Sequence, residues 1–329
     1  MRKLLVLIFS LLTLTSNAQQ ADVKNMVDWG GYTQLRFTSN YNDVNSFGMR
    51  RMKLWVNSSP GFNAHWGFRV QTTMTTNQNE KFMLQDVEAW YHINNFKINI
   101  GQFVPEFSLE RFQSDASLPL TERSAVVNAL VPDGTLGVRD IGIEENYTSP
   151  DKNLEMWLGV FNGNGINNYV LNNDGIMFTQ KTAFHLFDNH LVTGYSLMYR
   201  KADQLQLVTI LPGSISFSGN DFRYNLFAQY ESQKFQLKSE YLWASLNGKI
   251  ANGYYVLACL NLKKNQIVAS WNQYTDLIQT TNDAPAAHLG YNYLFDKDKL
   301  KIMLDNGVQI DKGSLKNPSS TIQLQLFFN

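Results

Sequence analysis

The chain has 329 residues, a formal net charge of zero at neutral pH and a single cysteine, Cys259. Zero net charge argues against non-specific nucleic-acid binding, and one cysteine excludes a framework of intrachain disulfides. We therefore expect no nucleic-acid partner. Aromatic residues make up 13% of the chain, a high share that fits a β-rich protein.

The N-terminus has the features of an export signal. Two basic residues precede the apolar run Leu4–Leu14, and small residues at Ser16–Ala18 offer a cleavage site. The apolar run is too short to span a bilayer as a helix. The pattern predicts a signal peptide at residues 1–18 and an exported mature domain at residues 19–329.

The mature chain shows segments in which apolar and polar residues alternate. The first expected strand is Trp29–Asn40, and the clearest alternation lies in Phe62–Thr73, where Trp66 and Phe68 oppose Arg69. Successive side chains of a strand point to opposite faces, so such segments predict strands with one apolar face. A soluble sandwich would show the same alternation. Further segments of this kind are Leu191–Tyr199, Phe222–Tyr230, Phe235–Trp243, Ala287–Phe295 and Ile322–Phe328.

The lengths of the connections separate the two classes of β protein. Short links of turn residues alternate with links that are mostly longer, which begin at Asn42, Thr75, Val104, Asn162, Lys201, Asn247, Thr275 and Asp311. Outer-membrane barrels alternate short periplasmic turns with longer outer loops. The chain is therefore predicted to be all-β, a transmembrane antiparallel β-barrel of about sixteen strands with roughly 9–12 residues each. Its lipid-facing band is expected to include Trp66, Phe68, Tyr195, Leu226, Leu289 and Leu324.

One connection, Gly101–Arg139, is far longer than the others. Pro105 and Pro119 lack ladder donors, which argues against a central strand, and its many apolar residues argue against disorder. We expect residues 104–138, the third long loop, to fold into the lumen and narrow the pore. Three apolar side chains are expected to pack on the inner wall: Phe107, Phe112 and Leu118.

Several short motifs, in the same order, resemble the phosphate-selective porin O and P family. They are FGMRRMKLW at Phe47–Trp55, Asp86–Tyr91, Gly101–Phe107, Glu122–Ser124, Arg139–Gly142 and Leu158–Gly163. Position 104 is Val, where the family has a basic residue. The resemblance implies a homotrimer in outer-membrane lipid, with a third loop that narrows each pore and with phosphate or other anions among its solutes.

Charged residues on the polar strand faces and in the long loop are the candidate site. In a narrow pore of low dielectric constant, basic side chains attract and pass anions, and the arginine fork suits phosphate. The pore constriction is expected to contain Arg111, Arg123, Arg139, Glu110 and Glu122. The lumen is expected to be lined by Arg36, Arg51, Lys53, Arg69, Asp86, Glu88, Lys97, Arg223 and Lys238. Alternatively, these basic residues pair across the lumen with acids, namely Asp86, Glu88, Glu144, Glu155, Glu231 and Glu240.

The predicted function is passive diffusion of small hydrophilic solutes through an outer-membrane pore that prefers anions such as phosphate. Two alternatives remain, a soluble secreted carbohydrate-binding β protein and a barrel for hydrophobic compounds. The five histidines are scattered and form no metal-binding or catalytic motif. We therefore expect no enzymatic activity, no metal and no cofactor.

Overall fold

Sixteen antiparallel strands account for most of the computed structural model, which describes residues 26–43, 45–61, 63–75, 81–132, 138–166, 176–207, 216–275 and 285–328. The predicted signal peptide and residues 133–137 of the expected loop lie outside these ranges. The strands are β1 (Met26–Ser39), β2 (Asn45–Ser59), β3 (Trp66–Thr75), β4 (Lys81–Ile93), β5 (Phe96–Phe103), β6 (Asp140–Thr148), β7 (Leu154–Phe161), β8 (Met177–Leu186), β9 (Leu191–Gln206), β10 (Ser216–Glu231), β11 (Phe235–Leu246), β12 (Lys249–Leu262), β13 (Asn265–Thr275), β14 (Ala286–Asp296), β15 (Leu300–Asp311) and β16 (Ser314–Phe328).

The strands form one closed barrel. Each strand pairs with its neighbours in the chain, and β1 pairs with β16, for example Thr33 with Leu326 and Arg36 with Gln323. Closure leaves no strand edge with unpaired backbone groups, which a barrel within a bilayer requires. The predicted barrel of about sixteen strands is confirmed. Individual strands range from 8 to 16 residues, more widely than expected.

The apolar faces of the strands point outward. The six side chains expected in the lipid-facing band are all exposed, with exposed fractions from 38% at Tyr195 to 59% at Leu289. Polar and charged side chains such as Arg200, Lys238 and Gln325 are buried inside. A soluble β protein buries its apolar faces, so this arrangement argues against the soluble alternative.

Two of the links that were expected to be longer are tight turns. Asn247–Gly248 joins β11 to β12, and Lys312–Gly313 joins β15 to β16. Both residues of each pair have positive φ, between 48° and 84°, as a type I′ hairpin turn requires. The expectation of longer links beginning at Asn247 and Asp311 is therefore wrong, because the flanking strands continue up to the turn.

The long connection between β5 and β6 contains a 3₁₀ turn, Asp115–Ser117, and a short helix, α1 (Ala125–Leu130). The Ser124 side chain caps α1 by accepting a hydrogen bond from the Val127 amide. No helix among the described residues is long and apolar enough to cross a membrane.

Hydrogen bonds tie this connection to strands that are far apart around the barrel. Its groups accept bonds from Lys53 on β2, Lys181 on β8 and Lys301 on β15, all three buried. Side chains on the buried faces of strands from opposite sides of a closed barrel meet only in its interior. We therefore infer that this connection lies within the barrel, and we call residues 104–132 the inner segment.

Helix α1 of the inner segment packs against β11, β12 and β13. Val126, Val127 and Leu130 are fully buried in a cluster with apolar inner-wall residues such as Leu242 and Tyr255. Two inner-wall glycines make room for it. A Cβ atom at Gly253 would lie 2.6 Å from Val126 Cγ2, and one at Gly290 would lie 2.8 Å from Leu120 Cδ2. Helix α1 therefore occupies the interior beside β11–β13, and Leu120 lies against β14.

Candidate permeation pathway

Two acidic side chains of the barrel wall hold the backbone of the inner segment. The Glu240 carboxylate accepts hydrogen bonds from the backbone amides of Leu109 (2.9 Å) and Glu110 (2.6 Å). The Glu144 carboxylate accepts one from the Glu106 amide at 2.9 Å. Both acids were considered as partners for basic residues across the lumen. Their oxygens bind segment amides, so these two carboxylates hold the segment in place.

Buried basic side chains of the barrel wall donate hydrogen bonds to backbone carbonyls of the segment. The Arg223 guanidinium donates to the carbonyls of Leu130 and Val131, each at 2.9 Å, and pairs with Asp221. The Lys301 ammonium donates to the Ala116 carbonyl at 2.7 Å. Arg223 was expected to line the lumen. It faces inward, but it is fully buried beneath the segment.

Asp115 is the centre of a buried ion cluster. Its carboxylate accepts a hydrogen bond from Lys53 Nζ at 2.7 Å and contacts the guanidinium groups of Arg51 and Arg123. Burial alone would raise the pKa of this carboxyl, but the charges of Lys53, Arg51 and Arg123 outweigh burial and hold its pKa well below its ordinary value. Arg123 also donates to the Glu110 carbonyl at 3.1 Å, so much of its bonding lies within the segment.

Glu122 forms a second cluster with three arginines. Its oxygens lie 2.9 Å from Arg36 Nη1, 2.5 Å from Arg50 Nε and 3.8 Å from Arg51 Nη2. Burial opposes ionisation here too, but hydrogen bonds from Arg50 and the charges of all three arginines lower the pKa of Glu122 to about 2. Glu122 is therefore a fixed negative charge.

Glu110 lies within the segment and lines neither of the cavities described below. Its carboxylate accepts hydrogen bonds from the Ser124 amide and hydroxyl, each at 3.0 Å. Burial raises its pKa, an effect that the charge of Lys238 partly offsets. Glu110 thus supports the N-terminus of α1 from beneath.

A first cavity of about 760 Å³ lies between the inner segment and the wall formed by β2–β6. Its lining reaches from Lys97, next to the short turn Asn94–Asn95, to Thr75 at the opposite end of β3. It therefore extends across most of the height of the wall. Its basic lining residues are Arg50, Arg51, Lys53, Arg69, Lys97, Arg111, Arg123 and Arg139. Its acidic lining residues are Asp86, Glu88, Asp115, Glu122 and Glu144.

Among the wall acids that were considered as partners for basic residues, Asp86 forms such pairs in the first cavity. Asp86 lies 2.8 Å from Arg139 Nε and 4.0 Å from Arg69 Nε, so this part of the pairing alternative is present in the structure. Lys97 lies over the Trp90 ring, with its ammonium 4.9 Å from the ring centroid. The eight basic side chains outnumber the five acidic ones. The lining therefore carries a positive excess.

A second cavity of about 980 Å³ lies on the side of the short turns. Phe112 and Gln113 line both cavities and mark the junction between them. Phe112 was expected to pack on the inner wall, which is wrong because its side chain is 54% exposed. The same expectation is confirmed for Phe107, which is buried in the apolar cluster with inner-wall residues, and Leu118 is buried as well.

The two cavities contain most of the candidate residues. Lining the first are Arg51, Lys53, Arg69, Asp86, Glu88, Lys97, Arg111, Glu122, Arg123 and Arg139, while Lys238 lines the second. Arg36, Glu110 and Arg223 line neither. Arg50 and Asp115 also line the first cavity, although neither was among the predicted site residues. No group of three or more potential metal ligands occurs within the described ranges.

The phosphate-selective porin O and P family matches residues 25–274, about three-quarters of the chain. The chain belongs to that family. No curated protein matches it by sequence. A porin fold and membership of a porin family make it an outer-membrane channel for solutes, and both point to a channel rather than to an enzyme.

Solved structures share the fold of this porin. One is OmpT, an outer membrane protein of Vibrio cholerae in a trimer form, at 12% identity and a TM-score of 0.64, covering 92% of this chain and 99% of that one. Another is Pseudomonas putida OprB at high pH, at 12% identity and a TM-score of 0.65, covering 92% of this chain and 94% of that one. A third is a mutant of the Rh. blastica porin, at 11% identity and a TM-score of 0.62, covering 92% of this chain and 100% of that one. At such identities the likeness establishes the fold alone.

Proposed function

We propose that this porin conducts small hydrophilic solutes passively, with a preference for anions such as phosphate, along the first cavity. The observation that carries the proposal is the positive excess of that cavity, with eight basic and five acidic side chains. Two of these acids, Asp115 and Glu122, are each shared among several basic groups. A passing anion therefore meets a net positive field.

The lining also suits transit rather than tight capture. An anion must exchange part of its hydration for protein contacts, yet bind weakly enough to leave. Arg69 and Arg139 are both within 4.0 Å of Asp86, which restrains their charge without neutralising both. Guanidinium groups in succession would pass an anion from one to the next, and their planar forks match phosphate oxygens.

The inner segment sets the width of this pathway in the proposal. Its helix α1 occupies the lumen beside β11–β13, so the proposed pathway runs along the first cavity on the β2–β6 side and passes the junction at Phe112 and Gln113 into the second cavity. Arg111 and Arg123 border the first cavity from the segment, opposite Arg69 on the wall. These residues form the proposed constriction.

Export and assembly belong to the same proposal. Residues 1–18 would direct the chain out of the cytoplasm and be removed, and the remaining domain would insert into outer-membrane lipid. A homotrimer is proposed because the similar Vibrio cholerae protein has a trimer form. Cross-linking in native membranes would give trimers, and the recovery of monomers alone would contradict this assembly.

Reversal potentials in planar bilayers test the ion preference. With a KCl gradient across single channels of the purified porin, we expect the potential of an anion-preferring pore. Arg139→Gln should move the potential toward that of a neutral pore. Lys249→Gln, at the start of β12 and lining neither cavity, is the matched control and should leave it unchanged. A cation-preferring wild type would overturn the proposal.

A further inference from the structure

We propose that the second cavity binds small organic anions that carry an aromatic ring, in preference to anions of equal charge that lack one. This inference rests on the proposed anion conduction and adds a second, chemically different site in series with the first cavity. The two sites meet at Phe112 and Gln113.

The linings of the two cavities differ in chemistry. Six of the eight basic residues of the first cavity are arginines, whereas all five in the second are lysines. Apolar side chains provide four of the 25 lining residues in the first cavity and eight of the 25 in the second. The first lining suits small, strongly polar oxyanions such as phosphate, and the second combines positive charge with apolar surface. A ligand with both a charged and an apolar part complements the second cavity.

Two aromatic rings give that apolar surface a defined location. Phe112 belongs to the inner segment and Trp157 to β7, and both line the second cavity. The Lys181 ammonium lies 5.8 Å from the Phe112 centroid and 5.0 Å from the Trp157 centroid, so both rings are held near one cation. Phe112 is half exposed, whereas Phe107 and Leu118 of the same segment are buried. An exposed ring at the junction of two water-filled cavities offers a surface on which a second ring can stack.

Lys181 itself holds the site together and is not its free charge. Its ammonium is buried, pairs with Glu106 at 2.6 Å and donates to the Ser108 carbonyl at 3.1 Å. Lys238 is equally buried and lies in the field of Glu110 and Glu240, but among the described residues its ammonium forms a hydrogen bond only with Gln113 Oε1, a neutral acceptor. An incoming carboxylate or phosphate would be a stronger acceptor than the amide and could replace it. Lys238 is therefore the assigned anion-binding group.

The acids of the second cavity leave its field positive. The cavity has five lysines and four acids, and two of the acids lie within 2.9 Å of a lysine: Glu106 of Lys181 and Asp298 of Lys301. Lys263 and Lys297 are exposed on the short turns at the mouth of the cavity. An organic anion entering from this side meets those lysines first and the aromatic surface further in.

Current block by two matched phosphate esters tests the inference. Phenyl phosphate and methyl phosphate carry the same charge at pH 8 and differ in the ring. Each ester is added to single channels that conduct KCl. Phenyl phosphate should block half of the current at about one-tenth of the concentration that methyl phosphate needs. This tenfold difference is the gain in affinity expected when a ring stacks on an aromatic side chain and is buried there. Phe112→Ala and Trp157→Ala should each remove most of this difference. Lys238→Gln should weaken block by both esters.

Phe178→Ala is the matched control because Phe178 is an exposed aromatic residue of β8 that lines neither cavity. This variant should keep the tenfold difference. If both esters block the wild type equally while the pore remains anion-preferring, the inference falls and the proposed function stands. If the pore does not prefer anions, both fall. A ring preference that survives in both Phe112→Ala and Trp157→Ala would place the site elsewhere and overturn the assignment.

Discussion

Arg50 and Arg51 are consecutive in the chain, yet both side chains reach Glu122, at 2.5 Å and 3.8 Å. Strict strand alternation would send one of them into lipid. The register explains the exception, since Gln34 pairs with Arg51 and Leu35 pairs with Met49, which makes Arg50 the extra residue of a β-bulge. The bulge thus adds one more arginine to the first cavity.

Removing this extra charge should reduce the anion preference. Arg50→Gln deletes one positive charge from the cavity and leaves Glu122 with two arginine partners. The anion-to-cation permeability ratio, obtained from reversal potentials, should fall by about two- to fivefold, the effect of roughly 0.4–1 kcal/mol at the effective dielectric constant of such sites. A ratio equal to that of wild type would show that Arg50 does not face the permeating ion.

The sequence predicted the barrel because alternation and closure follow from the lipid environment. The identity of the pore-facing charges depends on local departures from that alternation. A bulge in β4 is a second example, in which Gln71 pairs with Asp86 and Thr72 with Leu84, leaving Gln85 as the extra residue. Gln85 and Asp86 consequently both accept hydrogen bonds from Gln71 Nε2. Such bulges have no simple signature in a single sequence.

The inner segment shows a second limit of sequence-based prediction. Its length, prolines and apolar content indicated an unusual connection, but not which of its charges face solvent. Glu110 and Arg123 were both expected in the constriction; Arg123 lines the first cavity, whereas Glu110 lines neither cavity. The fold of the segment brings Glu110 beneath Ser124 and directs Arg123 toward Asp115 and the Glu110 carbonyl. These contacts join residues 8 to 14 positions apart and have no sequence period.

Neutralising Asp115 should both loosen the segment and strengthen the anion preference. Asp115→Asn leaves the charges of Lys53, Arg51 and Arg123 close together without their shared acid. Removing one partner from a buried ion cluster typically costs about 3–5 kcal/mol, so the free energy of unfolding in detergent and urea should fall accordingly. The permeability ratio should shift toward anions. Asp151→Asn, on an exposed turn, is the control and should change neither quantity.

Acid should act through Glu122 over a defined range. The pKa of this carboxyl is lowered from 4.5 to about 2, so its ionisation favours the folded state above the ordinary pKa. That contribution is fully present above about pH 5 and is lost as the pH falls toward 2. The free energy of unfolding of the wild type should fall over this range, and urea unfolding at each pH measures it. Glu122→Gln should make the free energy of unfolding depend less on pH. A variant whose stability falls as steeply as that of the wild type would contradict the role assigned to Glu122.

The glycine beneath Leu120 should be intolerant of a side chain. A Cβ atom at Gly290 would lie 2.8 Å from Leu120 Cδ2, so Gly290→Val must push the segment away or strain the wall. Overpacking of this kind typically costs about 1–3 kcal/mol. Gly48→Val is the matched control, because nothing lies within 4 Å of its Cβ position. Thermal unfolding in detergent compares the two, and equal losses would show that Leu120 does not rest on Gly290.

Deleting the inner segment should separate its role in permeation from its role in stability. Replacing residues 108–128 with a short Gly-Ser linker removes the 3₁₀ turn and four of the six residues of α1, together with Asp115 and Glu122. Closure depends on the pairing of β1 with β16 and of β5 with β6, which the deletion leaves intact, so the barrel should still form. The cleared β11–β13 side would then add to the conducting cross-section, and single-channel conductance should rise severalfold. A folded variant that conducts like wild type would show that the segment does not limit the current and would remove the basis for the proposed constriction.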